Sequence, residues 1–349
     1  MDLTLPGPAR GRDDKSDWPG AGAAAEALAA IDLGTNNCRL LIARPAAGGF
    51  RVIEAFSRIV RLGEGVGHSL RLSQAAMDRT IAALGVCANR MRRRGVTRSR
   101  CVATEACRKA ENGAAFLARV QAETGLNLDI IGSDEEARLA LAGCAPLLDR
   151  SHRHALVFDI GGGSTELLWV ALEGAEEPVL RGWISLPLGV VTLAERWGGT
   201  SFAADAYRQM VAAVQAMLVP FAESHDIGGA LAAGGVQLLG TSGTVTTLAG
   251  VHLDLPRYDR SRVDGTWLGF DDVAAVSSRL LAMSYEDRAR QPCVGRDRAD
   301  LVVAGCAILE AIIGLCPAGR LRIADRGVRE GVLLGLMRER PTSPAAPPS

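Results

Sequence analysis

The chain has 349 residues, no net charge at pH 7, and ordinary shares of hydrophobic (48%) and charged (22%) residues. This length allows about two domains, and a neutral chain gives no reason to expect binding to a nucleic-acid polymer or to a membrane surface. The eight cysteines form no CxxC pair, which favours reduced core thiols, and no signal peptide is recognisable, so a cytoplasmic protein is expected.

Residues 1–25 and 341–349 are rich in Pro, Gly, Ser or charge and lack a hydrophobic period. We predict that both are disordered tails. The first ordered element is predicted to be a β-hairpin over residues 29–43, with Asp32-Leu33-Gly34-Thr35-Asn36-Asn37 at its tip. A further strand is expected at residues 50–60.

Ser73 is predicted to cap a long helix, because apolar residues then recur every three or four positions. The helix ends in a group of arginines between Arg90 and Arg100. A solvated helix C-terminus, stabilised by the helix dipole, explains this group, and that is the interpretation we favour. The alternative is an electropositive lip for a long polyanion.

A strand is predicted at residues 100–104, and Arg108 follows it. A basic residue at the carboxyl edge of a strand is well placed to bind phosphate in an open α/β sheet. Another strand at residues 128–131 precedes a helix that is predicted to extend from Ser133 to Leu148. Ser133 and Glu136 fit an S-x-x-E capping box, so spacing alone favours a cap over a catalytic base for Glu136.

The most informative stretch is Asp159-Ile160-Gly161-Gly162-Gly163-Ser164-Thr165-Glu166, between two apolar strands. It predicts a hairpin with a glycine tip and acidic roots. Glycines let backbone N–H groups approach an anion, and carboxylates beside a phosphate imply a divalent cation. The first hairpin has the same Asp-x-Gly pattern 127 residues earlier, so two similar halves are expected to grip one anion chain. A plain tight hairpin is the alternative for either segment by itself.

A strand at 178–186 and helices at 189–197 and 203–222 are predicted next. His225-Asp226 has no further ligand residues nearby, and we interpret it as structural. A third glycine turn, Gly240-Thr241-Ser242-Gly243-Thr244, joins a strand to a helix, whose N-terminus is suited to anions; a simple cap by Ser242 is the alternative. Helices at 270–282 and 298–315, a strand at 321–324 and a final helix complete the chain.

These segments, in this order, resemble the exopolyphosphatase / guanosine pentaphosphate phosphohydrolase (Ppx/GppA) family of the actin/Hsp70/sugar-kinase superfold. The resemblance covers residues 28–338 and is carried by residues 30–36, 108–112, 135–139, 159–166, 242–244 and 329–331. It implies an α/β fold with two similar ribonuclease H-like (actin-like ATPase) lobes and a cleft between them. The lobes would span residues 26–138 and 139–340, with the last helix packed back on the N-terminal lobe.

The resemblance also implies a Mg²⁺-dependent hydrolase that removes the terminal phosphoryl group of polyphosphate, or the related 5′-phosphate of pppGpp. Glu136 would be the general base, which reverses the cap interpretation, and Asp159, Glu166 and Asp32 would hold the metal. The phosphate-binding residues would be Gly34, Thr35, Asn36, Asn37, Arg108, Gly161, Gly162, Gly163, Ser164, Ser242 and Gly243. A homodimer is compatible with this expectation.

Four residues depart from the family pattern, namely Thr35, Asn37, Glu105 and Arg326. Glu105 stands where a neutral residue or a histidine is expected. These departures suggest a shifted chain-length or substrate preference. A rival from another class is a nucleotide-binding sensor or filament protein of the same superfold, which would need an adenosine pocket beside Gly240–Thr244 and would bind without turnover.

Overall fold

The computed structural model describes residues 26–174, 177–197 and 204–339. Both predicted tails, 1–25 and 341–349, lie outside the described residues. All eight cysteines are buried free thiols, which confirms their interpretation as core residues. No helix in the described part of the chain is long and apolar enough to cross a lipid bilayer.

The N-terminal lobe is built on a five-stranded sheet in the order β3-β2-β1-β4-β5. Strands β1 and β2 form the first predicted hairpin, with Asp32 opposite Arg39. Strand β4 runs parallel to β1, so the carboxyl ends of both strands meet at one edge. The strands are β1 Ala27–Leu33, β2 Asn37–Ala46, β3 Gly49–Ile59, β4 Val96–Ala103 and β5 Leu128–Ile130.

Helices cover one face of this sheet because their apolar stripes match its core-facing side chains. Ser73 caps α2 by accepting the Ala76 N–H at 3.3 Å, as its sequence predicts. The helices are α1 Val66–Ser69, α2 Gln74–Arg93, α3 Glu105–Lys109, α4 Gly113–Thr124 and α5 Ser133–Cys144, followed by a 3-10 turn at Ala145–Leu147.

The C-terminal lobe repeats this arrangement in a six-stranded sheet of order β10-β11-β9-β6-β7-β8. Its central hairpin pairs Asp159 directly with Glu166. The shared strand order confirms the two similar α/β lobes that the repeated motif predicts. The strands are β6 His154–Ile160, β7 Thr165–Ala171, β8 Val179–Leu186, β9 Val236–Thr241, β10 Trp267–Gly269 and β11 Arg320–Ala324.

The largest hydrophobic core lies between this sheet and the helices of the same lobe. Asp226 caps α8 by accepting the Gly229 N–H at 3.2 Å, and His225 packs edge-on against Phe221, so both residues are structural, as predicted. The helices are α6 Val190–Arg196, α7 Ala204–Ser224, α8 Ile227–Ala232, α9 Gly243–His252, α10 Arg260–Val263, α11 Phe270–Ala282, α12 Tyr285–Arg290, α13 Val302–Leu315 and α14 Val328–Arg338.

Two helices connect the lobes. The last helix, α14, leaves the C-terminal sheet after β11 and packs its apolar side on β1 of the N-terminal sheet. It lies against α5, whose Ala140 joins that core while Ala137 and Leu141 join the core beneath the C-terminal sheet. Helix α5 is therefore held on both sides, and its N-terminal turn has a fixed position relative to both sheets.

Candidate active site

A cleft lies between the lobes at the carboxyl ends of the parallel strands, the usual ligand position in α/β sheets. Both predicted hairpin turns border it, which confirms that they share one crevice. The cleft also gathers nearly all of the predicted site residues: Asp32, Gly34, Thr35, Asn36, Asn37, Glu136, Asp159, Gly161, Gly162, Gly163, Ser164, Glu166, Ser242 and Gly243.

The turn of the first hairpin is fixed by the chain that follows β3. The carbonyl oxygen of Asn36 accepts the N–H groups of Val60 and Arg61 at 2.9 and 3.1 Å, and that of Thr35 accepts the Gly63 N–H at 2.9 Å. Thr35 and Asn36 are each only 6% exposed. The side-chain oxygens of Asn36 and Asn37 are buried without a hydrogen-bond partner, so this turn carries acceptors that a ligand or cation could use.

The glycine turn of the central hairpin touches the first turn directly. A methyl group on Gly162 would come within 3.0 Å of Thr35 Cβ, and one on Gly163 would come within 2.8 Å of Thr35 Oγ1. Only residues without a Cβ allow this approach. Helix α6 supports the turn from behind, since the N–H groups of Val190 and Val191 donate to its carbonyl oxygens at 3.0 and 2.8 Å.

Three of the cleft carboxylates share a low-dielectric site. Burial raises the pKa of Asp159 to about 6, although the charge of Arg39 opposes the change. Burial also raises the pKa of Asp32, again against Arg39. The pKa of Glu166 rises because of burial and then because of Asp159, while Ser185 donates a hydrogen bond to it at 2.8 Å. Crowded, buried carboxylates of this kind favour protons or a cation.

Glu136 lies in the first turn of α5 and borders the same cleft. The capping-box prediction is wrong, because the N-cap is Gly132 and Ser133 is already helical. The Glu136 side chain is only 15% exposed and lies 3.4 Å from a guanidinium nitrogen of Arg108. Burial, followed by the charges of Glu166 and Asp32, raises the pKa of Glu136, and Arg108 lowers it. The Glu136 carboxyl group therefore does not cap α5, and it lies close enough to Glu166 and Asp32 for their charges to raise its pKa.

The donor set fits Mg²⁺ better than a cation that needs a complete protein cage. Among the described residues, no three His, Cys, Asp or Glu side chains converge where they could jointly hold one metal ion. Mg²⁺ commonly uses one or two carboxylates together with water and substrate phosphates. Asp32, Asp159, Glu166 and the unpartnered oxygen of Asn36 supply oxygen ligands of that type.

The third glycine turn reaches the cleft through a strained residue. Ser242 has φ 80° and ψ −170°, a region that is essentially restricted to glycine. Its hydroxyl does not cap α9 but donates to the Ile160 carbonyl at 2.6 Å. Ser242 therefore stands at the N-cap position of α9 without a side-chain cap, and its hydroxyl ties β9 to the central hairpin.

Two arginines that the sequence analysis did not single out also border the cleft. Arg39 lies on β2, opposite Asp32, and Arg298 precedes α13. Arg298 donates to Thr247 Oγ1 at 3.1 Å, and its pKa is lowered by burial and then by Arg39. Arg39 could have been found, because strand alternation places it on the same face as Asn37. Arg298 has no comparable sequence signal.

Contacts on the far side of the cleft from α5 and α14 connect the lobes a second time. Arg61 makes a bidentate ion pair with Asp300, at 2.9 and 3.0 Å, and donates to the Asp297 carbonyl at 3.1 Å. The Gly65 N–H donates to Glu195 at 3.0 Å. We call these bonds the inter-lobe latch.

The arginine cluster of residues 90–100 does not lie at the cleft. Arg90 and Arg94 both bind Glu54, and the cluster leads into β4 at Val96, which pairs with the start of β1 rather than with its turn. Seven residues of β1 separate the arginines at the end of α2, residues 90–94, from the first hairpin turn, a distance of about 20 Å. Arg100 lies nearer, opposite Ala30 of β1, and pairs with Glu135. The position of residues 90–94 favours the solvated-terminus interpretation.

The fold and this cleft define a two-lobed α/β protein with a site lined by carboxylates and glycine turns between its lobes. The sequence profile of the Ppx/GppA phosphatase family matches residues 41–340, and the chain belongs to that family. It is 30% identical over 310 residues to a guanosine-5′-triphosphate,3′-diphosphate pyrophosphatase of Aeromonas hydrophila. That alignment covers 88% of this chain and 59% of the relative, so the chain spans well under two thirds of the relative's length.

Solved structures agree with this assignment. The crystal structure of the Aquifex aeolicus Ppx/GppA family member is 28% identical, with a TM-score of 0.75, and the match covers 92% of this chain and 100% of that one. An exopolyphosphatase-like protein is also 28% identical, with a TM-score of 0.81 and coverages of 89% and 98%. An exopolyphosphatase from Cytophaga hutchinsonii, at 22% identity, has the same fold with a TM-score of 0.81 and coverages of 90% and 98%.

Proposed function

We propose that this protein hydrolyses the terminal phosphoanhydride bond of linear polyphosphate, with Glu136 as the general base. The observation that carries the proposal is the buried Glu136 carboxyl group, which borders the cleft together with both glycine turns. Glu136 takes a proton from water, the water oxygen attacks the terminal phosphorus, and the penultimate phosphate leaves with the bridging oxygen. General-base catalysis of this type contributes about 10²–10⁴ in rate.

The remaining residues have binding roles in this proposal. The backbone of the two turns, with Arg39 and Arg298, holds the phosphate chain, because backbone amides and guanidinium groups both suit phosphate oxygens. One or two of the carboxylates Asp159, Glu166 and Asp32, together with water and substrate phosphates, would hold Mg²⁺, which when bound spreads the charge that develops on the transferring phosphoryl group. The positive charge of Arg108 opposes the rise in the pKa of Glu136 that burial causes, and so favours the ionised form that a general base requires.

Hydrolysis of pppGpp is the second candidate, favoured by the name of the Aeromonas relative. Both substrates present a terminal phosphoryl group on a linear phosphate chain, and they differ in the group that the chain carries at its other end. The two are separated by a competition assay with long-chain polyphosphate and pppGpp in one tube. We expect a higher kcat/KM for polyphosphate, and a higher value for pppGpp would transfer the proposal to the nucleotide.

The nucleotide-sensor alternative needs an adenosine pocket beside Gly240–Thr244. The cleft reaches Ser242, Gly243 and Thr244, and Val302 at the start of α13 lines the same space, so the assay must separate the sensor from the hydrolase by turnover. ATP-dependent assembly without release of phosphate from either polyanion would favour the sensor.

The decisive variant is Glu136→Gln, which keeps the shape of the side chain and removes the base. We expect kcat to fall by about 10²–10⁴ while polyphosphate affinity changes less than about threefold. Glu135→Gln is the matched control, because Glu135 is the adjacent residue of α5 and its more exposed carboxylate pairs with Arg100. Near-normal kcat in Glu136→Gln would overturn the proposed mechanism.

A further inference from the structure

Glu105 is a cleft residue without a role in the proposed reaction. It is the first residue of α3 and is 8% exposed. It borders the cleft at the point where the two turns meet, since a methyl group on Gly163 would come within 3.1 Å of its Cγ. Its charge also contributes to the raised pKa of Glu166. A carboxylate at this place opposes an approaching polyanion.

The partners of Glu105 show what it does instead. One carboxylate oxygen accepts from a terminal nitrogen of Arg108 at 2.6 Å, and the other lies 2.6 Å from Lys109 Nζ. The second terminal nitrogen of Arg108 donates to the Ile131 carbonyl at 2.6 Å and lies 3.4 Å from Glu136. Arg108 is the only predicted phosphate ligand that does not border the cleft, whereas both of its carboxylate partners do.

Carboxylate and phosphate oxygens both accept hydrogen bonds from guanidinium nitrogens. A phosphate that binds the Arg108 nitrogen held by Glu105 must therefore replace that carboxylate, and the broken ion pair subtracts from its affinity. A single orthophosphate has few other contacts and depends on Arg108 more strongly. A long chain is held by both turns, Arg39 and Arg298 without Arg108, so this competition leaves its affinity unchanged.

We propose that Glu105 is a specificity-determining residue, an internal anion that competes with phosphate for Arg108. This inference rests on the proposed function. The competition lowers the affinity for orthophosphate relative to that for long polyphosphate, and so promotes release of the product.

The test replaces the charge and leaves the turns intact. In Glu105→Gln we expect orthophosphate to bind at least fivefold more tightly by calorimetry, at fixed Mg²⁺, and to inhibit at correspondingly lower concentration. The KM for long-chain polyphosphate is expected to change less than twofold. Glu105→Ser, a second neutral variant, should show the same gain, whereas Glu105→Asp should stay within twofold of the unmodified protein.

Glu111→Gln is the matched control, because Glu111 is a nearby exposed carboxylate that pairs with Arg71. Unchanged orthophosphate affinity in both neutral variants overturns the proposal, and so does weaker binding, which would make Glu105 a cation ligand. Equal gains in Glu105→Asp and Glu105→Gln would also overturn it. Calorimetry needs no turnover, so failure of the proposed hydrolysis would appear separately, as absence of phosphate release from polyphosphate by the unmodified protein.

Discussion

The crossing of α5 and α14 offers a test of how Glu136 is positioned, because the two helices are in close contact at Gly331. A methyl group on Gly331 would overlap the carbonyl oxygen of Leu139 and lie 2.7 Å from its carbonyl carbon. Normal carbon–carbon contact is at about 3.5 Å. In Gly331→Ala, α14 must therefore move away from α5 by about 1 Å, because both opposing atoms belong to the backbone.

Two effects are expected from this displacement. Overpacking of a rigid contact costs about 1–3 kcal/mol, which lowers the Tm by about 1–5 °C in a protein of this size. Helix α5 also carries Glu136 three residues before Leu139, and a misplacement of about 1 Å in a catalytic group can cost about 10² in rate. Calorimetric unfolding and steady-state kcat with polyphosphate measure the two effects.

Gly335→Ala is the control on the same helix. A methyl group there meets no atom within 4 Å, so the gain in helix propensity is expected to stabilise the protein by up to about 1 kcal/mol without changing kcat. If Gly331→Ala had the Tm and kcat of the unmodified protein, α5 and α14 would not be in rigid contact and our account of how Glu136 is positioned would fail.

Charged residues provide three further tests. In a chelator at pH 8, Asp159→Asn should be more stable than the unmodified protein, by up to about 3 kcal/mol. Burial raises the pKa of Asp159 from 3.8 to about 6, so this carboxyl group contributes stability below pH 4 and loses that contribution as the pH rises through 6. The stability difference between Asp159→Asn and the unmodified protein should therefore be smaller at pH 5 than at pH 8. A variant that is less stable than the unmodified protein at pH 8 would contradict this reasoning. A double-mutant cycle of thermal unfolding with Arg61→Ala and Asp300→Asn should give a coupling free energy of about 0.5–1 kcal/mol for this partly exposed pair. If the two effects were strictly additive, the inter-lobe latch would contribute nothing to stability. Replacing Arg92 and Arg93 with Glu should leave the KM for long and short polyphosphate unchanged, because they lie at the far end of the N-terminal sheet; selective weakening of long chains would restore the lip interpretation.

The sequence was sufficient to predict the parts of the site that depend on patterns of a few neighbouring residues. Both Asp-x-Gly turns could be predicted, because strand alternation and glycine conformation act over a few residues. The position of Asp159 opposite Glu166 followed from the length of the turn, and the repeat predicted that both lobes would contribute to one cleft. The Ppx/GppA assignment depended on the order of these short motifs rather than on any one of them.

The predictions from sequence were wrong or incomplete where two neighbouring residues could both start a helix, or where contacts with residues distant in sequence determined a side chain's position. Gly132 and Ser133 are both acceptable N-caps, and only the observed backbone of Gly132, with φ −69° and ψ 159°, shows which residue starts α5. Arg298 could not be distinguished from the many other arginines, because tertiary packing alone brings it to the cleft. The pairs of Glu105 with Arg108 and Lys109, in contrast, have the i,i+3 and i,i+4 spacing of a helix, so the sequence contained a signal that Arg108 has a carboxylate partner.

The direct contact between the two glycine turns restricts how this site can change. A side chain at Gly162 would meet both Thr35 and Asn36, and one at Gly163 would meet both Thr35 and Glu105, so a mutation in one lobe requires compensating changes in the other. Residues more than 120 positions apart in the sequence are thus expected to vary as linked pairs among descendants of this chain, although they belong to separate sheets.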